Sequence, residues 1–274
     1  MRLLTLNSVL VATDLGETSY PAIRTAARLA PLAGASLHLL HVAAGRDADD
    51  EDRLLEHYRQ AAPDAANPGS VSVMTGEPAA AIVEHAGRVG ANVVIVGPHR
   101  RGGNSGELGS TAKSVVEAAP CPCLVAATEL RLPLERVLVP IDHSPAASGA
   151  LSLALSWGAA LRSPGGNADL LAVHVTRDAR APDPLRAEME RVREITYGVT
   201  SVGIREKLVA GEDPAAEIVR EAKEAHADLV VMGTHSRDDR RRELGSVSGA
   251  VVQDAPCPLL LVPPLYPGRA VDSL

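Results

Sequence analysis

Short apolar runs alternate with helix-like segments along the whole chain. Ser8–Thr13 is an apolar run with β-branched residues, and Ile23, Ala26, Ala27 and Ala30 then recur at helical spacing. The runs NVVIV and DLVVM are apolar without alternation, which is typical of central parallel strands that are covered on both faces. This alternation predicts βαβ units and an α/β fold.

The same pattern gives bounds for further elements. In the first half it predicts strands at Ser36–Val42, Val71–Met74, Asn92–Val96 and Cys123–Ala127, and helices at Ser19–Ala33, Asp49–Ala62, Pro78–Val89 and Gly109–Ala118. In the second half it predicts strands at Arg136–Ile141, Asp169–Val175, Ile204–Val209, Asp228–Met232 and Leu259–Val262, and it places Ser144 and Pro145 at the N-cap and first position of a helix. Right-handed crossovers then predict an open doubly wound sheet, in which ligands bind beyond the carboxyl ends of the strands.

The two halves of the chain are copies of one unit. Several prolines and glycines of the first half recur 136 residues later, and the aspartate that ends the first strand recurs 128 residues later. The matched pairs are Pro78 with Pro214, Gly97 with Gly233, Gly109 with Gly245, Pro120 with Pro256, and Asp14 with Asp142. The repeat predicts two tandem domains, residues 1–130 and 134–265.

Composition excludes several classes of function. The formal net charge is −7 and aromatic residues make up 2% of the chain, which argues against nucleic-acid binding. No apolar stretch approaches the length of a membrane span, and the amino terminus has no clear signal-peptide pattern. We therefore expect a cytoplasmic protein that binds neither membrane nor nucleic acid.

Cysteines and histidines give no sign of redox or metal chemistry. Cys121, Cys123 and Cys257 form an odd set in similar contexts, so we expect buried packing thiols rather than disulfides. His41 and His174 lie inside predicted strands and are expected to be core histidines. The spacings fit no metal motif, nucleophile elbow or kinase signature, so we predict no metal site and no catalytic residue.

Each half carries one candidate ligand site. A strand-end glycine is followed by a loop and then by Gly-Ser at a helix start, where N–H groups and the helix dipole favour an anion. The strand-end aspartate is a potential acceptor for an adenine amino group or a ribose hydroxyl, with a turn or cap role as the alternative. We expect His99 and His235, which lie in the loops, to contact phosphate.

The ordered set of motifs resembles a tandem universal stress protein over nearly the whole chain. The set is VLVATD and VLVPID, LHLLHV and LLAVHV, GEPAAAIVEHA and GEDPAAEIVREA, ANVVIVGPH and ADLVVMGTH, each half ending in APCP. The resemblance implies two Rossmann-like domains with strand order 3-2-1-4-5, whose fifth strands pair within the chain as a pseudo-dimer. Further pairing into a homodimer stays open, and no protein partner is identified.

The resemblance also implies ATP, alone or with Mg²⁺, as the ligand. The resemblance and the loop pattern together assign these residues to binding: Asp14, Val42, Gly97, His99, Gly109 and Ser110 in the first half, and Asp142, Val175, Gly233, Thr234, His235, Ser236, Arg237, Gly245, Ser246 and Val247 in the second. The phosphate loop departs from the family's G-x-x-G, nine residues, G-[S/T] pattern. Arg100 and Ser236 replace the second glycine, and each loop is one residue short. We expect the second half to hold nucleotide better, since Thr234 keeps an N–H that Pro98 lacks.

Three classes of function follow from these residues. The first is a stress-response protein that binds ATP or a related adenine nucleotide with little or no turnover. The second is a nucleotide-free scaffold of the same fold, which the altered loops favour. The third, an ATPase or adenylate-transferring enzyme, is disfavoured because neither loop contains lysine.

Overall fold

The chain forms two α/β units that divide between Leu130 and Arg131. The computed structural model describes residues 6–45, 49–98, 108–142, 144–177, 201–234 and 244–264. The first unit has strands β1 (Ser8–Thr13), β2 (Ser36–Ala43), β3 (Ser70–Thr75), β4 (Val93–Val96) and β5 (Cys123–Val125), and helices α1 (Tyr20–Ala33), α2 (Asp50–Ala61), α3 (Pro78–Arg88) and α4 (Ser110–Ala118). A short 3₁₀ turn, Glu17–Ser19, precedes α1.

The second unit repeats this order. Its strands are β6 (Arg136–Pro140), β7 (Ala168–Thr176), β8 (Val202–Ala210), β9 (Leu229–Gly233) and β10 (Leu259–Val262), and its described helices are α5 (Pro145–Leu161), α6 (Pro214–Glu224) and α7 (Ser246–Asp254). As predicted, α5 begins at Pro145, and the Ser144 hydroxyl caps it by accepting from the Ala147 N–H at 3.1 Å.

The sheet of each unit has the predicted strand order. The first runs β3-β2-β1-β4-β5 and the second β8-β7-β6-β9-β10, and the pairs within each unit are parallel. The fold-class prediction of two tandem doubly wound domains is thus confirmed, while pairing of the fifth strands stays a prediction. Bounds differ from prediction by one or two residues, as where β5 ends at Val125 rather than Ala127.

The apolar runs form the core of each unit. β1, β4 and β10 are buried along their whole length, and β9 is buried up to its last residue, Gly233. Such burial on both faces explains why these strands lack an alternating pattern. Among the helices in the described ranges, none has the length and apolar character needed to cross a bilayer.

A polar side chain in each unit joins the amino ends of the first and fourth strands. The Asn92 Oδ1 accepts the Asn7 and Ser8 N–H groups at 2.7 and 3.0 Å. At the equivalent place in the second unit, Asp228 Oδ2 accepts the Glu135 and Arg136 N–H groups at 3.1 and 2.8 Å. These contacts fix the central strands at the edge opposite the candidate site.

Candidate functional site

The described residues of each unit line a cavity at the carboxyl ends of its strands, where the topology predicts a ligand. The first has a volume of about 350 Å³ and the second about 220 Å³. The first is lined by Ala12, Thr13, Asp14, Thr18, Ser19, Val42, Pro78, Ile82, Val96, Gly97, Thr111 and Ala112. The second is lined by Pro140, Ile141, Asp142, Ser144, Ala147, Val173, His174, Val175, Pro214, Ile218, Met232, Gly233, Gly245, Ser246, Val247 and Ser248.

The strand-end aspartates line these cavities and also hold turns. Asp14 Oδ1 accepts the Gly16 N–H at 3.0 Å, and Asp142 Oδ1 accepts the Ser144 N–H at 2.8 Å. Both side chains are exposed at the cavity. One oxygen of each carboxylate therefore orders the turn that presents the group, so the structural and ligand-binding interpretations are compatible.

The helices that begin at the cavities lack a side-chain N-cap. The N-caps of α4 and α7 are Gly109 and Gly245, which have no side chain that could cap the helix. In contrast, Glu77 and Asp213 cap α3 and α6 by accepting two N–H groups each. An uncapped helix start presents N–H donors and the positive end of the helix dipole, which suits an anion.

The two helix starts differ in how they meet their cavities. Gly245, Ser246 and Val247, which the sequence analysis assigned to binding, all line the second cavity. In the first unit, the described lining from α4 begins at Thr111, one residue beyond the predicted Ser110. Only the second unit thus brings its whole described Gly-Ser helix start to the cavity.

The strand-end glycines have a steric role within the protein. A Cβ at Gly233 would lie 2.6 Å from the Ala146 Cβ and 3.0 Å from its carbonyl carbon, and a Cβ at Gly97 would lie 3.2 Å from the Thr18 carbonyl oxygen. Both glycines line their cavities, yet the backbone that approaches them most closely belongs to the start of the first helix. Helix packing is thus sufficient to explain these glycines, and the expectation that they also allow close approach of a ligand stays a prediction.

The sequence analysis expected the Thr234 N–H to be available to a ligand, but in the structure it is used within the protein. It donates to the Val262 carbonyl at 3.0 Å, and the side chain is buried. The Val262 carbonyl at the end of β10 therefore already accepts the Thr234 N–H, which is the donor that Pro98 lacks. The Thr234 N–H thus holds the end of the strand, and a role for this residue in binding stays a prediction.

The two phosphate-loop candidates are closed at their bases in the same way. The Gly109 N–H donates to the Pro98 carbonyl at 2.9 Å, and the Gly245 N–H donates to the Thr234 carbonyl at 2.8 Å. The predicted contacts His99, His235, Ser236 and Arg237 lie outside the described residues.

The ends of β2 and β7 line the two cavities with residues that are equivalent in the repeat. Val42 and Val175 line them as predicted. His41 and His174, beside these valines, each donate through Nδ1 to the carbonyl that ends the first strand, Thr13 or Ile141, at 2.8 Å. These histidines are half-buried, and His174 itself lines the second cavity, so it is more than a core residue.

An apolar wall opposite the polar groups was missed from the sequence. Pro78 and Ile82 of α3 line the first cavity, and Pro214 and Ile218 of α6 line the second. Their 136-residue offset was visible as part of the repeat, but nothing local showed that this helix face turns to the site. Flat apolar surfaces of this kind suit the face of a heterocycle.

A buried polar cluster below the first cavity was also missed. The Thr13 and Ser19 hydroxyl oxygens lie 2.7 Å apart, and each lies 3.2 Å from His57 Nε2 of α2. Burial lowers the pKa of His57 below its usual range, and the nearby Asp14 acts in the opposite direction. The ring is therefore neutral at physiological pH.

The cysteines are packing groups, as predicted. Cys121, Cys123 and Cys257 are free and buried. Burial raises the pKa of Cys121 and of Cys257 to about 12, and that of Cys123 well above its usual range. In the described ranges, no three histidine, cysteine, aspartate or glutamate side chains come together as metal ligands.

Comparison with known proteins identifies the family. A model of the universal stress protein family matches residues 5–127 and 133–263. A universal stress protein of Mycobacterium tuberculosis is 30% identical over 188 residues, 62% of this chain and 61% of the relative. One from Mycolicibacterium smegmatis is 34% identical over 194 residues, 64% of this chain and 62% of the relative. The chain thus spans about three fifths of the length of these relatives.

A solved structure of similar architecture supports the fold assignment. The crystal structure of a universal stress protein from Archaeoglobus fulgidus superposes on this chain with a TM-score of 0.71 and 20% sequence identity. The alignment covers 95% of this chain and 100% of the Archaeoglobus chain. With the family match over both halves, the repeated strand order and the paired cavities, this chain is a tandem member of the universal stress protein family.

Proposed function

We propose that the protein binds ATP or a related adenine nucleotide in its second cavity, and an adenine ligand in its first, with little or no turnover. The observation that carries this proposal is the second cavity, where Asp142, Val175 and the uncapped start of α7 line one space. An acceptor, an apolar wall and an anion-binding helix start are the three features that a nucleotide needs.

The arrangement supports a definite orientation of the ligand. The apolar wall of Val175, Pro214 and Ile218 accommodates the base, and Asp142 accepts from its amino group or from a ribose hydroxyl. The phosphates then lie at Ser246 and Val247, because the first N–H groups of a helix have no acceptor within the helix and Gly245 already uses its own N–H on Thr234. The volume of about 220 Å³ suits the nucleoside part, with the phosphates at the open end.

The described lining supports binding rather than catalysis. Among the described lining residues, the only carboxylates are Asp14 and Asp142, and none is a lysine or arginine. Phosphoryl transfer needs cationic groups that stabilise charge on the transferred phosphate. Each aspartate is also engaged by a turn N–H, which makes it a poor candidate to activate water.

The test is direct measurement of bound and added nucleotide. Mass spectrometry of small molecules released from freshly purified protein should recover an adenine nucleotide, and calorimetry with ATP, with and without Mg²⁺, should give a saturable heat on stripped protein. Recovery of no nucleotide together with no heat would refute the proposal.

A matched variant separates the two roles of the aspartate. Asp142→Asn keeps an Oδ1 that can accept the Ser144 N–H, but its amide NH₂ replaces the other oxygen and cannot accept from a ligand. We expect a normal fold and an affinity at least about tenfold lower at the second cavity. Wild-type affinity would show that Asp142 acts only in the turn.

A nucleotide-free scaffold is the second candidate, and two contacts favour it. Gly233 is required by Ala146, and the Thr234 N–H is used by Val262, so neither residue needs a ligand to explain it. This alternative predicts that Asp142→Ala and Gly245→Val leave the protein's interactions unchanged when folding survives. A partner interaction that depends on nucleotide would exclude it.

A further inference from the structure

We propose that His57 is a positioning residue of the first cavity, where it holds the turn that presents Asp14 through the hydroxyls of Thr13 and Ser19. The inference rests on the proposed function, because Asp14 matters to a ligand only if the cavity binds one. His57 belongs to α2, and its imidazole lies behind the two hydroxyl residues that line the cavity.

Counting protons assigns the direction of each hydrogen bond in the cluster. Ser19 Oγ donates to the Gly16 carbonyl at 2.7 Å, which uses the only proton of that hydroxyl. The 2.7 Å contact between the hydroxyls must then be donated by Thr13. With both hydroxyl protons used, the His57 Nε2 must carry its own proton and share it between Thr13 and Ser19.

This assignment excludes one chemistry and indicates another role. A neutral ring protonated at Nε2 cannot accept the Ser19 proton, so the pair is not a nucleophile with its base. The imidazole acts as a donor that fixes two acceptor oxygens. It is 8% exposed and contacts the Tyr20 ring with centroids 5.0 Å apart, which restrains its position.

The turn that His57 supports is conformationally demanding. Leu15 adopts φ = 63°, a left-handed conformation that is rare for a residue with a side chain. Its N–H donates to Thr13 Oγ1 at 3.0 Å, and the next N–H, of Gly16, donates to Asp14. The hydroxyls that receive the His57 proton are thus the same groups that stabilise the strained turn on both sides of Asp14.

The described part of the second unit holds its turn differently. Ile141 and Ala147 occupy the positions equivalent to Thr13 and Ser19 and have no hydroxyl. There the Ser144 N–H donates to Asp142, and the Ser144 hydroxyl caps α5. The pair of hydroxyls that His57 contacts is therefore specific to the first unit.

The experiment measures ATP affinity at the first cavity by calorimetry in an Asp142→Asn background, at a temperature well below unfolding. His57→Leu removes the donor, and we expect it to weaken ATP binding by about tenfold. His57→Gln retains an amide N–H that can reach the two hydroxyls, and we expect it to restore affinity to within about threefold of the background. A residue that only stabilises the fold would not show this rescue.

The matched control is His38→Leu. His38 lies in the same unit and contacts Ser70 at 2.7 Å, away from the described lining of the cavity. It should lower stability without changing affinity. If His57→Leu does not fold, Ser19→Ala tests the same cluster, because it removes one acceptor of the His57 proton and should weaken binding in the same way.

The outcomes separate this inference from the proposed function. If the background protein binds ATP and His57→Leu binds it equally well, only the role of His57 is overturned. If the background protein binds no adenine ligand, both proposals fail for this cavity. Nitrogen NMR gives a readout that needs no ligand: we expect the neutral His57 ring to be protonated at Nε2, and protonation at Nδ1 instead would overturn the inference.

Discussion

The two units have the same sheet topology, but different side chains surround their cavities. In the first unit Thr13, Ser19 and His57 form a buried polar cluster beside the cavity, whereas Ile141 and Ala147 make the second cavity apolar at the same positions. The strand-end aspartate and the uncapped glycine at the helix start are common to both. Duplication has preserved this aspartate and this glycine and has changed the residues around them.

Substitution of the glycines at the ends of β4 and β9 by alanine should give the largest difference in stability between the two units. Gly233→Ala should destabilise the second unit by about 3 kcal/mol, because its Cβ would lie 2.6 Å from that of Ala146. Gly97→Ala should cost the first unit about 1 kcal/mol, since the nearest atom is a carbonyl oxygen at 3.2 Å. Urea unfolding followed by the emission of Trp157 reports the second unit, and amide exchange in β1 reports the first. Equal costs would show that the two helix starts pack alike.

Substitution of Asp228 and Asn92, at the amino ends of the strands, should give a smaller difference in stability between the two units. Asp228→Ala removes two hydrogen bonds to a carboxylate and should cost about 2 kcal/mol, while Asn92→Ala removes two from a neutral amide and should cost about 1 kcal/mol. The same unfolding measurements apply. A larger cost for Asn92→Ala would show that the charge of Asp228 contributes nothing to its role.

Acid should weaken the first unit through two buried histidines, His57 and His85, and the half-buried His38. Burial lowers the folded-state pKa of His38, His57 and His85 below 6.5, so the unfolded chain binds protons more readily. Their stabilising effect is complete above about pH 6.5 and is lost as the pH falls below that value. Amide exchange in β1 and β2 should accelerate between pH 7 and 5, before the emission of Trp157 changes. Constant protection over this range would contradict the prediction.

The thiols should show the smallest effect. With a pKa of about 12 for Cys121 and Cys257, only about one thiol in ten thousand is ionised at pH 8. Native protein should therefore resist a thiol reagent that labels unfolded protein rapidly. The double change Cys121→Ser and Cys123→Ser should leave ATP affinity unchanged. Rapid labelling of native protein, or lost affinity, would reopen a redox role.

Much of the fold could be predicted from the sequence because its signals are local. The apolar run Ser8–Thr13 became β1 with the same bounds, and Ser144 caps α5 because a hydroxyl before proline acts within one turn. The repeat added long-range information, since residues at one offset must occupy equivalent places. That is why the paired aspartates could be assigned to the same edge of each sheet.

The parts of the site that could not be predicted depend on contacts between distant segments. Nothing near Gly233 shows that Ala146 fills the space beside it, and nothing near Thr234 shows that its N–H meets Val262. The cluster at His57 joins residues from a helix, a 3₁₀ turn and a strand. A sequence pattern identifies which groups a site has available, whereas packing determines which of them are already engaged.

The hydrogen bonds at the loop bases have a consequence for loop engineering. Gly109 is joined directly to Pro98, and Gly245 directly to Thr234, so in each unit the residue after the strand-end glycine is tied to the N-cap of the following helix. The entropic cost of closing a loop grows only slowly with its length. We therefore expect that residues can be inserted between the two partners of each hydrogen bond at little cost to the stability of the unit.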